Sequence, residues 1–212
     1  FVDFVSYCND NNLPLDIATI HIFTESYPSL ELMDKLAGLI KTGVDIEAKK
    51  NSVMSSTSFS LLYNDENHTF DTIQKAKNII DNILHQRPEI HITEWNASAL
   101  SSNYINDTAF VATYIVKNVL QSIDCVDSLG YWTFTDIMEE VKAGISPFHG
   151  GFGLINNNGI KKPSYFAFYL LSKLGNYLVG QGDEYIVTKT GENLQILAFN
   201  FAYFDELFMN GD

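Results

Sequence analysis

Glu89-Ile-His-Ile-Thr-Glu94-Trp-Asn-Ala-Ser98 decides how the rest of this chain is read. Ile90 and Ile92 alternate with His91 and Thr93, the period of a strand. The run then stops on a carboxylate, Glu94, followed by an indole and an amide, Trp95 and Asn96. In α/β proteins the C-terminal ends of parallel strands are where chemistry is built, so a Glu, a Trp and an Asn at that point suit a bound sugar.

Working outward, the flanking segments read as helices. Upstream, Phe70, Ile73, Ala76, Ile79, Ile80 and Ile83 recur at spacings of three and four, which predicts a helix to about Gln86 that Thr69 or Asp71 can cap and Arg87-Pro88 stops. Downstream, Asn106-Asp107-Thr108 opens a helix whose face runs through Phe110, Val111, Tyr114, Ile115, Asn118 and Val119 to Ile123. Leu15 to Ile22 reads as a buried strand after a short helix from Phe1 to Asn11, and Asp127 to Asp136 reads as the next strand. Leu30 to Lys50 has helical character, and 51–67 is a Ser- and Asn-rich connection. Pro163 leads into a last helix, from Ser164 to about Leu174, that Gly175 can end. Alternating helix and strand calls for a parallel sheet with covering helices. After Gly175 the pattern changes: Glu184 to Lys189 and Leu194 to Phe201 alternate around Thr190-Gly191-Glu192-Asn193, an all-β hairpin.

The bulk properties exclude several functions. The chain has 212 residues, is 46% hydrophobic and carries a formal net charge of −13, so a polyanion would be repelled and no nucleic acid is expected to bind this portion. No apolar run has transmembrane length, and no membrane partner is expected. Cys8 and Cys125 form no metal or redox spacing, which fits a reducing, cytoplasmic setting. No Gly-rich phosphate loop follows any strand, and no cofactor is expected. The Asn-x-Ser/Thr triplets at Asn67, Asn96 and Asn106 read as chance or as capping chemistry. The chain opens inside an amphipathic pattern, Phe1-Val-Asp-Phe-Val-Ser-Tyr7, as a piece of a longer protein would.

Three strand ends bear polar or aromatic groups: His21; Glu94, Trp95 and Asn96; Tyr131, Trp132 and Asp136. Taken singly, His21 reads equally as a satisfied buried histidine, Trp132 as core packing, and Glu94 as a salt bridge or helix cap. Together they describe one rim of a site, because one edge of the sheet would carry every buried polar cost. Asp136, Glu139 and Glu140 raise a metal, but only His149 lies near in sequence and converging ligands are lacking, so none is expected.

Several ordered motifs then agree. Leu13-Pro14-Leu15-Asp16 with His21, Thr93-Glu94-Trp95-Asn96, Asn106-Asp107-Thr108, Gly130-Tyr131-Trp132, Asp136-x-x-Glu139-Glu140, His149-Gly150-Gly151-Phe152-Gly153 and Gly159-Ile160-Lys161-Lys162-Pro163 resemble glycoside hydrolase family 39, the β-xylosidases and α-L-iduronidases. The resemblance implies the C-terminal part of a (β/α)8 barrel over 1–175 and the first strands of a β-sandwich over 176–212. It implies retaining hydrolysis with Glu94 as nucleophile. His21 would bind sugar at the end of the sixth strand, Trp132 would stand beside the −1 sugar, and Glu139 and Glu140 would hold hydroxyls. Two departures stand out. The family's acid/base Glu lies in an Asn-Glu-Pro triplet that this sequence lacks, as if the first four or five strands lay before Phe1; and where the family reads His-x-Tyr the chain reads His21-Ile22-Phe23, a phenyl ring without the hydroxyl, with Tyr27 the nearest phenol. The expected ligand is a small saccharide such as a xyloside, and an open sheet edge leaves room for a homo-oligomer. The alternative is a non-catalytic, glycoside-sensing or structural module of an AraC-type transcription regulator, which the Phe23 departure favours.

Overall fold

The computed structural model describes residues 1–24, 66–99, 103–138 and 146–203. The helix expected over 30–50, nearly all of the connection after it, Tyr27 and the Glu139-Glu140 pair lie outside these residues.

Three strands form a parallel sheet in the order β1 (Ile17–Phe23), β2 (Glu89–Asn96), β3 (Ser128–Tyr131). Among the described residues four α-helices accompany them: α1 (Val2–Asp10), α2 (His68–Ile83), α3 (Ala109–Ser122) and α4 (Pro163–Leu171). One face of the sheet, carrying Ala18, Ile22, Ile90 and Ile92, is buried with Ile73 and Ile80 of α2, Val111 and Ile115 of α3 and Ala167 of α4. Each fully buried aliphatic side chain there stabilises the fold by about 1.5–3 kcal/mol. The opposite face carries Thr19, His21 and Thr93 and is open.

The alternation of helix and strand thus folds as read, with differences at the ends. Helix α2 stops at Ile83, and Leu84 is already extended at ψ 136°. Pro88 disfavours helical backbone at Arg87, and the chain straightens before it. Asn67, not Thr69 or Asp71, occupies the N-cap; the Thr69 hydroxyl is instead hydrogen-bonded to the Tyr114 phenol. Asn106 does not cap α3 either. It lies buried in a 3-10 turn (Tyr104–Asp107), and Thr108 is the N-cap. Strand β3 is four residues long rather than ten. Past Tyr131 the backbone turns to a different partner: Thr133 N–H donates to Phe152 O at 3.2 Å and Asp136 N–H to Ile155 O at 3.0 Å. The Trp132–Thr133 peptide bond is cis.

The all-β part has one strand more than the expected hairpin. Strands β4 (Tyr177–Gly182), β5 (Tyr185–Thr190) and β6 (Asn193–Ala198) form an antiparallel meander. Strand β4 escaped notice because Tyr177, Leu178 and Val179 are all exposed and show no period of two. The meander joins the main core through Ile186, Leu197, Phe199 and Phe201. No described helix is long and apolar enough to cross a membrane.

Candidate functional site

The site is built on an irregularity of β2. Ile20 pairs with Ile92, but the next residue, His21, pairs with Glu94, and Ile22 pairs with Trp95. On the other side Ile92 pairs with Leu129 and Trp95 with Tyr131. Both ladders therefore count one extra residue on β2, at Thr93, as in a β-bulge. Strict alternation from Ile90 and Ile92 would send position 94 into the apolar layer. The slip instead brings Glu94 alongside His21 and puts Trp95, which is fully buried, alongside Ile22. Gly130 of β3 admits the bulge: a Cβ there would stand 2.8 Å from Thr93 O.

Glu94 Oε2 and His21 Nδ1 are 3.2 Å apart, with the two side chains 29% and 54% exposed. The carboxylate is thus held by a ring nitrogen yet reachable from solvent. His21 is no buried histidine, and Glu94 is no helix cap; of the single-residue readings, the salt bridge is the one the pair fits. Beside it, Asn96 is fully buried and acts as a hub. Its amide N–H donates to Trp132 O at 2.5 Å, its side-chain oxygen accepts from Ser98 N–H at 3.3 Å, and its backbone carbonyl accepts from Thr24 Oγ at 3.2 Å. Trp132 N–H donates to Trp95 O at 3.1 Å. The ends of β1, β2 and β3 are thereby fastened to one another next to Glu94. Phe23 faces Asn96 in the register and is half-buried. Trp132 is half-buried rather than a core residue.

Two of the expected rim groups lie elsewhere. Tyr131 belongs to the core, edge-on to Trp95 with ring centroids 5.5 Å apart. Burial pushes its phenol well above the usual tyrosine range, against the opposing effect of a hydrogen bond to Asn96. Asp136 is fully buried and engaged by Lys162 Nζ and Gly153 N–H, so it faces no ligand. Its attachment to Lys162 was not read from the sequence. The signal available was the opposite charge of Asp107 and Asp136 to Lys162, three residues that each sit inside one of the ordered motifs.

The model of the family described as glycosyl hydrolases family 39 matches residues 1–188. A β-xylosidase of Geobacillus stearothermophilus is 29% identical over 191 residues, covering 88% of this chain and 33% of that protein. An uncharacterized HTH-type transcriptional regulator of Staphylococcus aureus is 26% identical over 192 residues, covering 88% of this chain and 25% of that protein. A solved monomeric β-xylosidase of Caulobacter crescentus CB15 has the same fold over 97% of this chain and 38% of its own, with a TM-score of 0.74 at 21% identity. The chain spans about a third or less of the length of the two curated relatives. Across the matched residues, 1–188, the chain belongs to glycosyl hydrolase family 39.

Proposed function

We propose that this chain is the nucleophile-bearing part of a retaining β-xylosidase-type glycoside hydrolase. The observation that carries the reading is the Glu94–His21 pair, 3.2 Å apart at adjacent C-terminal strand ends and open to solvent. In this reading β1, β2 and β3 are the sixth, seventh and eighth strands of a (β/α)8 barrel over 1–175, and the meander begins a β-sandwich domain.

A retaining hydrolase uses two carboxyl groups roughly 5–5.5 Å apart. Glu94 is the nucleophile: its oxygen bonds to the anomeric carbon as the glycosidic bond breaks. The leaving oxygen takes a proton from the second carboxyl, which this chain does not carry in an Asn-Glu-Pro triplet. Water, deprotonated by that same group, then cleaves the glycosyl ester and frees Glu94. His21 orients the carboxylate for in-line attack, and Trp132, with Phe23, walls the sugar site. Glu139 and Glu140 complete it by accepting hydrogen bonds from sugar hydroxyls. No cofactor takes part, and the ligand is a small xyloside.

The test uses the full-length protein that carries this chain, with an aryl β-xyloside. Glu94→Gln is expected to lower kcat by at least about 10³-fold, since it removes a covalent step and not merely a binding contact. A 2-deoxy-2-fluoro-xyloside should label Glu94 covalently; labelling of another carboxylate would sink the assignment. The 212-residue chain alone is expected to show no turnover, because general acid catalysis typically supplies about 10²–10⁴-fold.

A second reading has support of its own. The likeness to an HTH-type regulator covers 88% of the chain, and Phe23 lacks the hydroxyl of the family's usual Tyr. In that reading the site senses a glycoside without cleaving it, and DNA is bound outside this acidic portion. Xylose binding without turnover in the full-length protein would select it.

A further inference from the structure

Four of the sequence motifs found no role in the sugar site: Asn106-Asp107, Asp136, His149-Gly150-Gly151-Phe152-Gly153, and Lys161-Lys162-Pro163. They meet at one atom. Lys162 Nζ is fully buried and lies 2.6 Å from Asp107 Oδ1, 2.6 Å from Gly151 O and 3.4 Å from Asp136 Oδ1. The carboxylates extend the cluster. Asp107 Oδ2 accepts from Gly150 N–H at 2.6 Å, and Asp136 Oδ1 from Gly153 N–H at 2.6 Å. Asn106 adds a hydrogen bond from its amide to Gly150 O at 2.9 Å. One ammonium thus gathers the loop after β2, the loop after β3 and the approach to α4.

The gathered loop acts on Trp132 through its neighbour. Phe152 O accepts from Thr133 N–H at 3.2 Å, and Leu154 N–H donates to Thr133 O at 3.1 Å. On its other side Trp132 is tied through its own backbone to Trp95 and Asn96, one and two residues after Glu94. The contact between the loop and residue 136 is close. A Cβ on Gly153 would fall 2.3 Å from Asp136 N, so only glycine lets the loop seat there.

Burying two carboxylates and one ammonium adds little net stability, because desolvation offsets their attraction; what such a cluster supplies is one defined geometry. We infer that Lys162 is a positioning residue: by drawing Asp107, Asp136 and the Gly151 carbonyl together, it fixes the loop that sets Trp132 relative to Glu94. This rests on the reading of Glu94 and Trp132 as one saccharide site.

The test compares Lys162→Met and Asp136→Asn with the wild-type full-length protein. Labelling with 5-fluorotryptophan gives a fluorine resonance for residue 132, assigned by its loss in Trp132→Phe. Circular dichroism reports folding, and xylose titration reports the site. Both variants are expected to keep the wild-type circular dichroism, to shift or broaden the 132 resonance, and to bind xylose at least about 10-fold more weakly. Should Lys162→Met not fold, Asp136→Asn decides alone, since it keeps the side-chain shape and can still accept from Gly153. Folded variants with an unchanged 132 resonance overturn the inference, because a purely structural role lowers stability without moving the indole. If the resonance moves but even the wild type binds no xylose, the positioning role stands and the saccharide reading falls.

Discussion

At the scale of single residues, the position of Glu94 depends on its neighbours Thr93 and Gly130. The Thr93 carbonyl projects toward β3 where Gly130 leaves room, 2.8 Å from a would-be Cβ. Gly130→Ala should therefore push on the bond that sets Glu94. Overpacking of this kind costs about 1–3 kcal/mol. The urea midpoint is expected to drop accordingly, and xyloside turnover in the full-length protein to fall with it; wild-type turnover in a folded Gly130→Ala protein would show that the bulge tolerates displacement. That His21, Glu94 and Trp132 lie at one edge of the sheet was legible in the sequence, because groups at three successive parallel strand ends must come out on the same side. The loss of Tyr131 and Asp136 from that rim was not. A tyrosine and an aspartate look alike in sequence whether they face a ligand or a buried lysine 26 residues on.

At the scale of elements, legibility followed periodicity. Helix α2 was readable because its buried positions, Ile73, Ala76 and Ile80, recur at three and four. Ile80 is fully buried, and Ile80→Ala should cost about 2–5 kcal/mol, measured as urea unfolding followed by circular dichroism. A loss under about 1 kcal/mol would mean the helix is less firmly seated on the sheet than its burial implies. Strand β3 was overestimated for a related reason. Residues 132–136 keep a strand-like alternation while bonding to residues 152–155, and sequence pattern does not say which backbone is the partner. Strand β4 was missed because a strand with apolar residues on both faces and two glycines has no period to detect.

At the scale of the whole molecule, the parallel sheet, α3 and the meander share one core in which two phenols are buried. Tyr114 and Tyr131 both have pKa values raised above the ordinary tyrosine value, chiefly by burial. In the unfolded chain they ionise near pH ~10. The folded state binds those protons more tightly, so the stability linked to them is fully present below about pH 10 and is lost as pH rises beyond it. Alkaline titration should show phenolate absorbance from these two residues appearing only together with unfolding, and Tyr131→Phe should weaken the alkaline dependence. Early, unfolding-independent ionisation of both would contradict a single closed core. Family membership was legible from motif order, whereas the joining of meander and sheet through Phe199 and Phe201 was not, since no short-range pattern reports a contact with α3.

The bulge at Thr93 has one more consequence, which concerns length rather than identity. Thr93 is exposed and lies outside both ladders. Its removal would leave both ladders regular. With one residue fewer, Glu94 would follow Ile92 directly, still opposite His21 and with Trp95 still opposite Ile22; were Thr93 instead drawn into the ladder, Glu94 would take the phase of Ile22 and turn into the apolar layer with Ile73 and Ile80. The faces taken by Glu94 and Trp95 therefore depend on residue 93 being left out of the count. Homologous chains can be expected either to keep one bulged residue here or to lack it, with the residues matching Glu94 and Trp95 on the same faces in both cases.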